Sequence, residues 1–159
     1  PELSVTDSRD EIIGKIRDMA GISEMALLAL YAYRDMELTD WTPFVKAAVE
    51  RNPVCHDALA GKSNEEMYHI INGLKNKSIY DSGRMAQPDE VWNFNRGDGA
   101  EKAFLMANAI IHADPEAEVT VTLHDDHAIV GHEGSEYRFV TAKGHSRKIL
   151  IKGNHYTVS

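Results

Sequence analysis

Two periodicities divide the chain. Up to about residue 113, apolar residues recur every three or four positions, as on one face of a helix. From residue 117 onward they alternate with polar residues, as on a half-buried strand. Ile12, Ile13, Ile16, Met19 and Ala20 form a first helical face, with Asp7 or Ser8 as cap and Gly21 as stop. The stretch 22–36 is the most apolar helical segment, and Met25, Leu28, Leu30 and Tyr31 are expected in the core. Thr42-Pro43 starts a helix carrying Phe44, Val45, Ala48 and Val49. Ser63 and Glu66 form a capping box ahead of Met67, Ile70, Ile71 and Leu74. Residues 77–97, rich in Gly, Asn, Asp, Ser and Pro, read as a long irregular loop. Asp98 caps the next helix, 98–112, whose small Ala100, Ala103 and Ala107 predict close packing in the centre of the fold.

The alternating part begins at Val119, Val121 and Leu123. It continues through Ala128-Ile129-Val130, Tyr137-Arg138-Phe139-Val140, Ile149-Leu150-Ile151 and Tyr156-Thr157-Val158. Turns at 131–134, Gly144 and Gly153-Asn154 separate these segments and predict an antiparallel meander over 117–158. Helices (1–76, then 98–112) followed by a contiguous sheet make an α+β domain. At 159 residues a single domain, 1–159, is expected, either by itself or as a fragment of a longer protein.

Composition narrows the classes. Hydrophobic content of 43% and charged content of 26% suit a globular chain with its own core. A net charge of −8 argues against nucleic acid as a partner, because phosphate binding needs clustered cations. No apolar run is long enough for a membrane span. Pro1-Glu2-Leu3 carries no basic and apolar leader, and a compartment is not assigned. One cysteine, Cys55, excludes an internal disulfide.

Candidate chemistry centres on Arg96-Gly97-Asp98-Gly99. A helix start carries partial positive charge and free amides, and a cysteine there ionises readily. A histidine on a neighbouring strand, such as His127, then serves as base. Gln87-Pro88-Asp89-Glu90-Val91-Trp92 followed by Arg96-Gly97-Asp98-Gly99-Ala100-Glu101-Lys102-Ala103 resembles the nucleophile segment of the transglutaminase-like, papain-like superfamily. That segment typically reads G-D-C-x-x-(K/L)-A after a tryptophan-containing loop. His127-Ala128-Ile129-Val130 is similar to the family's histidine strand. Tyr137-Arg138-Phe139-Val140-Thr141-Ala142-Lys143-Gly144 is similar to the strand that ends in its orienting aspartate. The resemblance spans 87–144.

The resemblance implies a papain-like fold and a triad at positions 99, 127 and 141. Those positions hold Gly99, His127 and Thr141, so only the histidine of the triad is present. Without a nucleophile, acyl transfer is lost, since triad members act as a unit. The expectation is therefore a catalytically inactive domain acting as a binding or structural module. Its ligand groove would involve Trp92, Asp98, Gly99 and His127, and its partner would be a peptide, a glycan or another domain of a parent protein. The alternative is an enzyme of altered chemistry, with His127 and Asp98, Asp125 or Asp126 as acid and base.

Other motifs carry less. Cys55-His56 reads as a small buried hydrophobe and its neighbour rather than a catalytic pair, since adjacent residues rarely point the right way to hydrogen-bond each other. His124-Asp125-Asp126-His127, with His132 and His145, lacks a recognised ligand spacing, and no metal or cofactor is expected. Gly61-Lys62-Ser63 lacks the preceding glycine of a phosphate loop and reads as a helix cap. Arg96-Gly97-Asp98 spells an adhesion tripeptide but is explained by the capped helix.

Overall fold

A fifteen-residue helix, α7 (Gly99–Ala113), is buried from Gly99 through Ile111. The computed structural model describes residues 4–81 and 83–159, apart from the Tyr31 side chain. The expectations drawn from Pro1-Glu2-Leu3 and from Tyr31 burial lie outside the described residues. A helix enclosed on every side must place its polar residues carefully. The Lys102 ammonium donates to the Leu74 carbonyl at 2.6 Å. Asn108 donates to the Ala48 carbonyl at 2.8 Å and accepts from the Cys55 thiol at 3.3 Å. The small alanines expected to allow close approach are buried.

Around α7 pack α3 (Thr42–Glu50), α4 (Pro53–Leu59), α5 (Asn64–Gly73) and α6 (Pro88–Phe94). Phe104 meets the edge of Phe44 at 5.3 Å between ring centroids, an arrangement aromatic quadrupoles favour. On the other side α7 covers a five-stranded antiparallel sheet: β1 (Glu118–Leu123), β2 (His127–His132), β3 (Ser135–Val140), β4 (Arg147–Lys152) and β5 (His155–Val158). The α+β class expected from the two periodicities is what the chain adopts. Among the described residues no helix is long and apolar enough to cross a membrane.

The sheet is not the meander expected from strand spacing. Its order is β3-β2-β1-β4-β5, so the chain leaves β3 and returns to the far side of β1. Packing accounts for the detour. The outer edge of β3 is already covered, since the Tyr68 hydroxyl from α5 donates to the Arg138 carbonyl at 2.8 Å and the start of α7 abuts Val140. The free edge of β1 offers Val119 and Val121, which face Ile151 and Ile149 across the new ladder.

Two further expectations need correction. The stretch 77–97 is not wholly irregular, because α6 forms within it. Pro88 sits in its first turn, and the Gln87 amide donates to the Glu90 carboxylate at 3.0 Å. The apolar stretch 22–36 forms α2 (Glu24–Tyr33), but it is not a core helix. Leu30 is buried, whereas Met25 and Leu28 are 78% and 65% exposed. Helix α2 packs chiefly on α1 (Arg9–Met19), whose own apolar face is only half-buried.

Candidate functional site at the start of α7

Asp98 caps α7. One carboxylate oxygen accepts the Ala100 amide at 2.9 Å, and the other accepts the Ala142 amide at 2.7 Å. The Thr141 hydroxyl also donates to this carboxylate. One side chain thus closes the helix start and ties the segment after β3 to it. The capping box is completed by the Asp98 amide, which donates to Glu101 at 2.7 Å.

Glu101 is fully buried. Its second oxygen accepts the Ala86 amide at 2.5 Å and the Ser78 hydroxyl at 3.0 Å. Burial raises its pKa, and these donors together with the Lys143 charge act the other way. Burial lowers the pKa of Lys143, whose ammonium donates to the carbonyls of Arg84 at 2.6 Å and Tyr80 at 2.9 Å. Beside this cluster lies a cavity of about 350 Å³, lined among others by Tyr80, Asp81, Asp98 and Lys143.

Gly99 has a steric cause. A Cβ built on it would lie 2.0 Å from the Val140 carbonyl oxygen and 3.0 Å from the Phe139 carbonyl carbon. The helix start rests directly on the main chain of β3, so there is no room for any side chain at the position where the sequence resemblance would place a sulfur.

His127 points elsewhere. Along β2 the buried residues are Ala128 and Val130, so His127 and Ile129 project from the face turned away from the helices. Val140, paired with His127, is 65% exposed on that outer face. The imidazole Nδ1 lies 2.5 Å from the Asp126 carboxylate, and its ring stacks on His124 at 4.3 Å. That contact with His127 lowers the pKa of the exposed Asp126.

Gly99, His127 and Thr141 are therefore close along the β3 main chain but not assembled into a site. Thr141 serves Asp98, and the carboxylates of the acid–base alternative do not converge. Asp98 is committed to the cap, Asp126 holds His127 from the solvent side, and Asp125 is exposed. Trp92 is half-buried against the core and does not line the cavity. Arg96 is half-buried, while Gly97 and Asp98 are buried, so the tripeptide is not presented to solvent.

The remaining motifs disperse. The Cys55 thiol is buried and its pKa is raised by burial, which makes it a poor nucleophile. His132 accepts or donates to Asn64 at 2.7 Å, while His145 is buried against Trp41. Among the described residues, no three His, Cys, Asp or Glu side chains are placed to hold a metal ion. Ser63 caps α5 with Glu66, as the capping-box spacing predicts. Sequence reasoning missed Tyr80, Arg84 and Lys143, which lie in segments with no periodicity and meet only through the fold.

Comparison with known proteins found no matching family model, no matching curated protein and no matching solved structure.

Proposed function

We propose that this chain is a degenerate transglutaminase-like domain of papain-like descent that acts as a binding or structural module. The observation that carries the reading is the 2.0 Å approach of a Gly99 Cβ to the Val140 carbonyl. A cysteine at that position would need the helix or β3 to move, so the family's acyl-enzyme chemistry has neither its atom nor the space for it. In support, the order of elements remains that of the family: a capped helix start, a histidine strand, then a strand ending at Thr141.

The ligand surface in this reading is the cavity beside Asp98. Tyr80 supplies an aromatic wall, while Asp81, Asp98 and Lys143 supply polar groups. Such a mixture suits a segment rich in amide or hydroxyl groups, such as a peptide or a glycan.

The test has two arms. In the first, the protein is incubated with fluorogenic amide and glutamine-peptide substrates, and no turnover above buffer is expected. Robust amide hydrolysis by the unmodified chain would overturn the reading. In the second, short peptides and oligosaccharides are titrated against isotope-labelled protein. Shifts centred on Tyr80, Asp81 and Lys143 are expected; shifts confined to other surfaces would move the ligand site away from this cavity.

A further inference from the structure

A second cavity, of about 220 Å³, lies between α1, the end of α2 and Gly83-Arg84. Arg84 stands on its wall. The guanidinium lies 3.7 Å from the ring centroid of Tyr80 and 4.9 Å from that of Tyr33. Its Nε is enclosed and has no hydrogen-bond partner. Among the described residues Arg84 has no ion pair, although its neighbours do: Arg17 with Asp35 at 2.6 Å and Arg34 with Glu90 at 2.5 Å. Stacking fixes the plane of a guanidinium, and with Nε enclosed the two terminal nitrogens form the edge that grips an oxyanion in two-point fashion.

Two other residues of the same cavity point to what the oxyanion belongs to. Asp10, in the first turn of α1, is exposed and has no ion pair among the described residues. Asp35 adds a second carboxylate to the wall, already neutralised by Arg17. A doubly charged phosphate would face both acids, whereas a carboxylate carrying an ammonium group would satisfy Arg84 and Asp10 together. Gly14, halfway along α1, also lines the cavity, and a Cβ added there meets no atom within 4 Å. Glycine inside a helix is unfavourable, and packing does not require it at this position. It leaves the wall open where a ligand would pass.

We propose that this cavity is a binding site for a small zwitterion of the α-amino-acid class, with the carboxylate on Arg84 and the ammonium on Asp10. Its size is below that of sites for larger organic ligands, as a free amino acid requires. The proposal does not rest on the module reading: the two cavities share Gly83, and Arg84 stacks on Tyr80, but Asp10 and Gly14 line only this one.

The experiment is calorimetric titration of the full chain with each free L-amino acid. Acetate, inorganic phosphate and the N-acetylated form of the best binder are the comparison arms. At least one amino acid is expected to bind. N-acetylation, Arg84→Gln and Asp10→Asn are each expected to weaken it by about tenfold or more. Gly14→Leu fills open space and favours the helix, so it should keep the circular dichroism spectrum while abolishing binding. No binding by any amino acid at millimolar concentration would overturn the proposal. Phosphate or acetate binding as tightly as the best amino acid, or unchanged affinity in a folded Gly14→Leu protein, would overturn it too.

Discussion

Gly99 and Gly14 are both helical glycines, yet they should respond in opposite ways to the same substitution. At Gly99 the obstacle to a methyl group is main-chain carbonyl, which cannot rotate aside as a side chain can. Gly99→Ala is expected to cost about 3 kcal/mol, at the upper end of overpacking penalties, read as a lowered urea midpoint. Gly14→Ala meets open space and should stabilise by about 0.5–1 kcal/mol in the same assay. Equal responses at the two positions would remove the steric account of Gly99. Asp98 makes a third case. Its replacement by Ala removes the helix cap and strands the Thr141 hydroxyl and the Ala142 amide. A loss of about 3 kcal/mol is expected, the sum of a capping term and buried donors left unpaired. Placing a cysteine at Gly99 therefore starts from a fold weakened before any chemistry is tested.

At the scale of elements, caps made within a few residues are readable in the chain and caps made across the fold are not. Ser8, Ser63 and Asp98 each precede a glutamate by three positions, and all three start helices. Helix α4 starts differently: the Val54 and Cys55 amides are capped by Asp89, from a distant helix, at 3.2 and 2.8 Å. No local pattern announces that partnership, and α4 went unpredicted with it. The same distinction explains the site. Asp98 and the oddity of Gly99 are visible in sequence, but the carbonyl that makes glycine necessary lies on β3, and Lys143 reaches Tyr80 and Arg84 only after the chain has run through α7 and β1 to β3. Periodicity also misjudged α2, because apolar character all round says that a helix wants burial, not that the chain supplies enough partners. Two of the three leucines of α2, Leu28 and Leu30, separate these ideas. Leu30→Ala should cost about 2–5 kcal/mol through the cavity it leaves, while Leu28→Ser, at an exposed position, should change stability by about 0.5 kcal/mol or less. Thermal or urea unfolding of the pair distinguishes a buried face from a solvent face on one helix.

For the whole molecule, two histidines tie folding to pH: His145, which is buried, and His112, which is exposed at the end of α7 but stacked on a neighbouring ring. His112 has its pKa lowered by burial and by His56, whose ring stacks on it at 3.7 Å, while Asp57 opposes the effect. Its Nε2 lies 3.1 Å from the Val49 carbonyl, a contact that either form of the ring makes as donor and that opposes the lowering. His145 has its pKa lowered by burial and then by Lys143, with Glu37 and Asp98 acting the other way. Both start from an ordinary value of 6.5, so the unfolded chain takes up protons below that pH while the folded chain does not yet. Stability supplied by the two neutral rings is thus complete above about pH 6.5 and declines as the pH falls toward their depressed folded values. Glu101 has the opposite sign, because its raised pKa lets the folded state hold a proton that the unfolded chain has released above 4.5. The histidines' contribution to the slope of unfolding free energy between about pH 5 and 6.5 is therefore positive with pH, and the measured slope is expected to be smaller in His112→Gln and in His145→Gln than in the unmodified protein. Urea denaturation of the three proteins across that window checks it. If the slope is unchanged in both variants, the histidines are not the groups that couple this fold to protons.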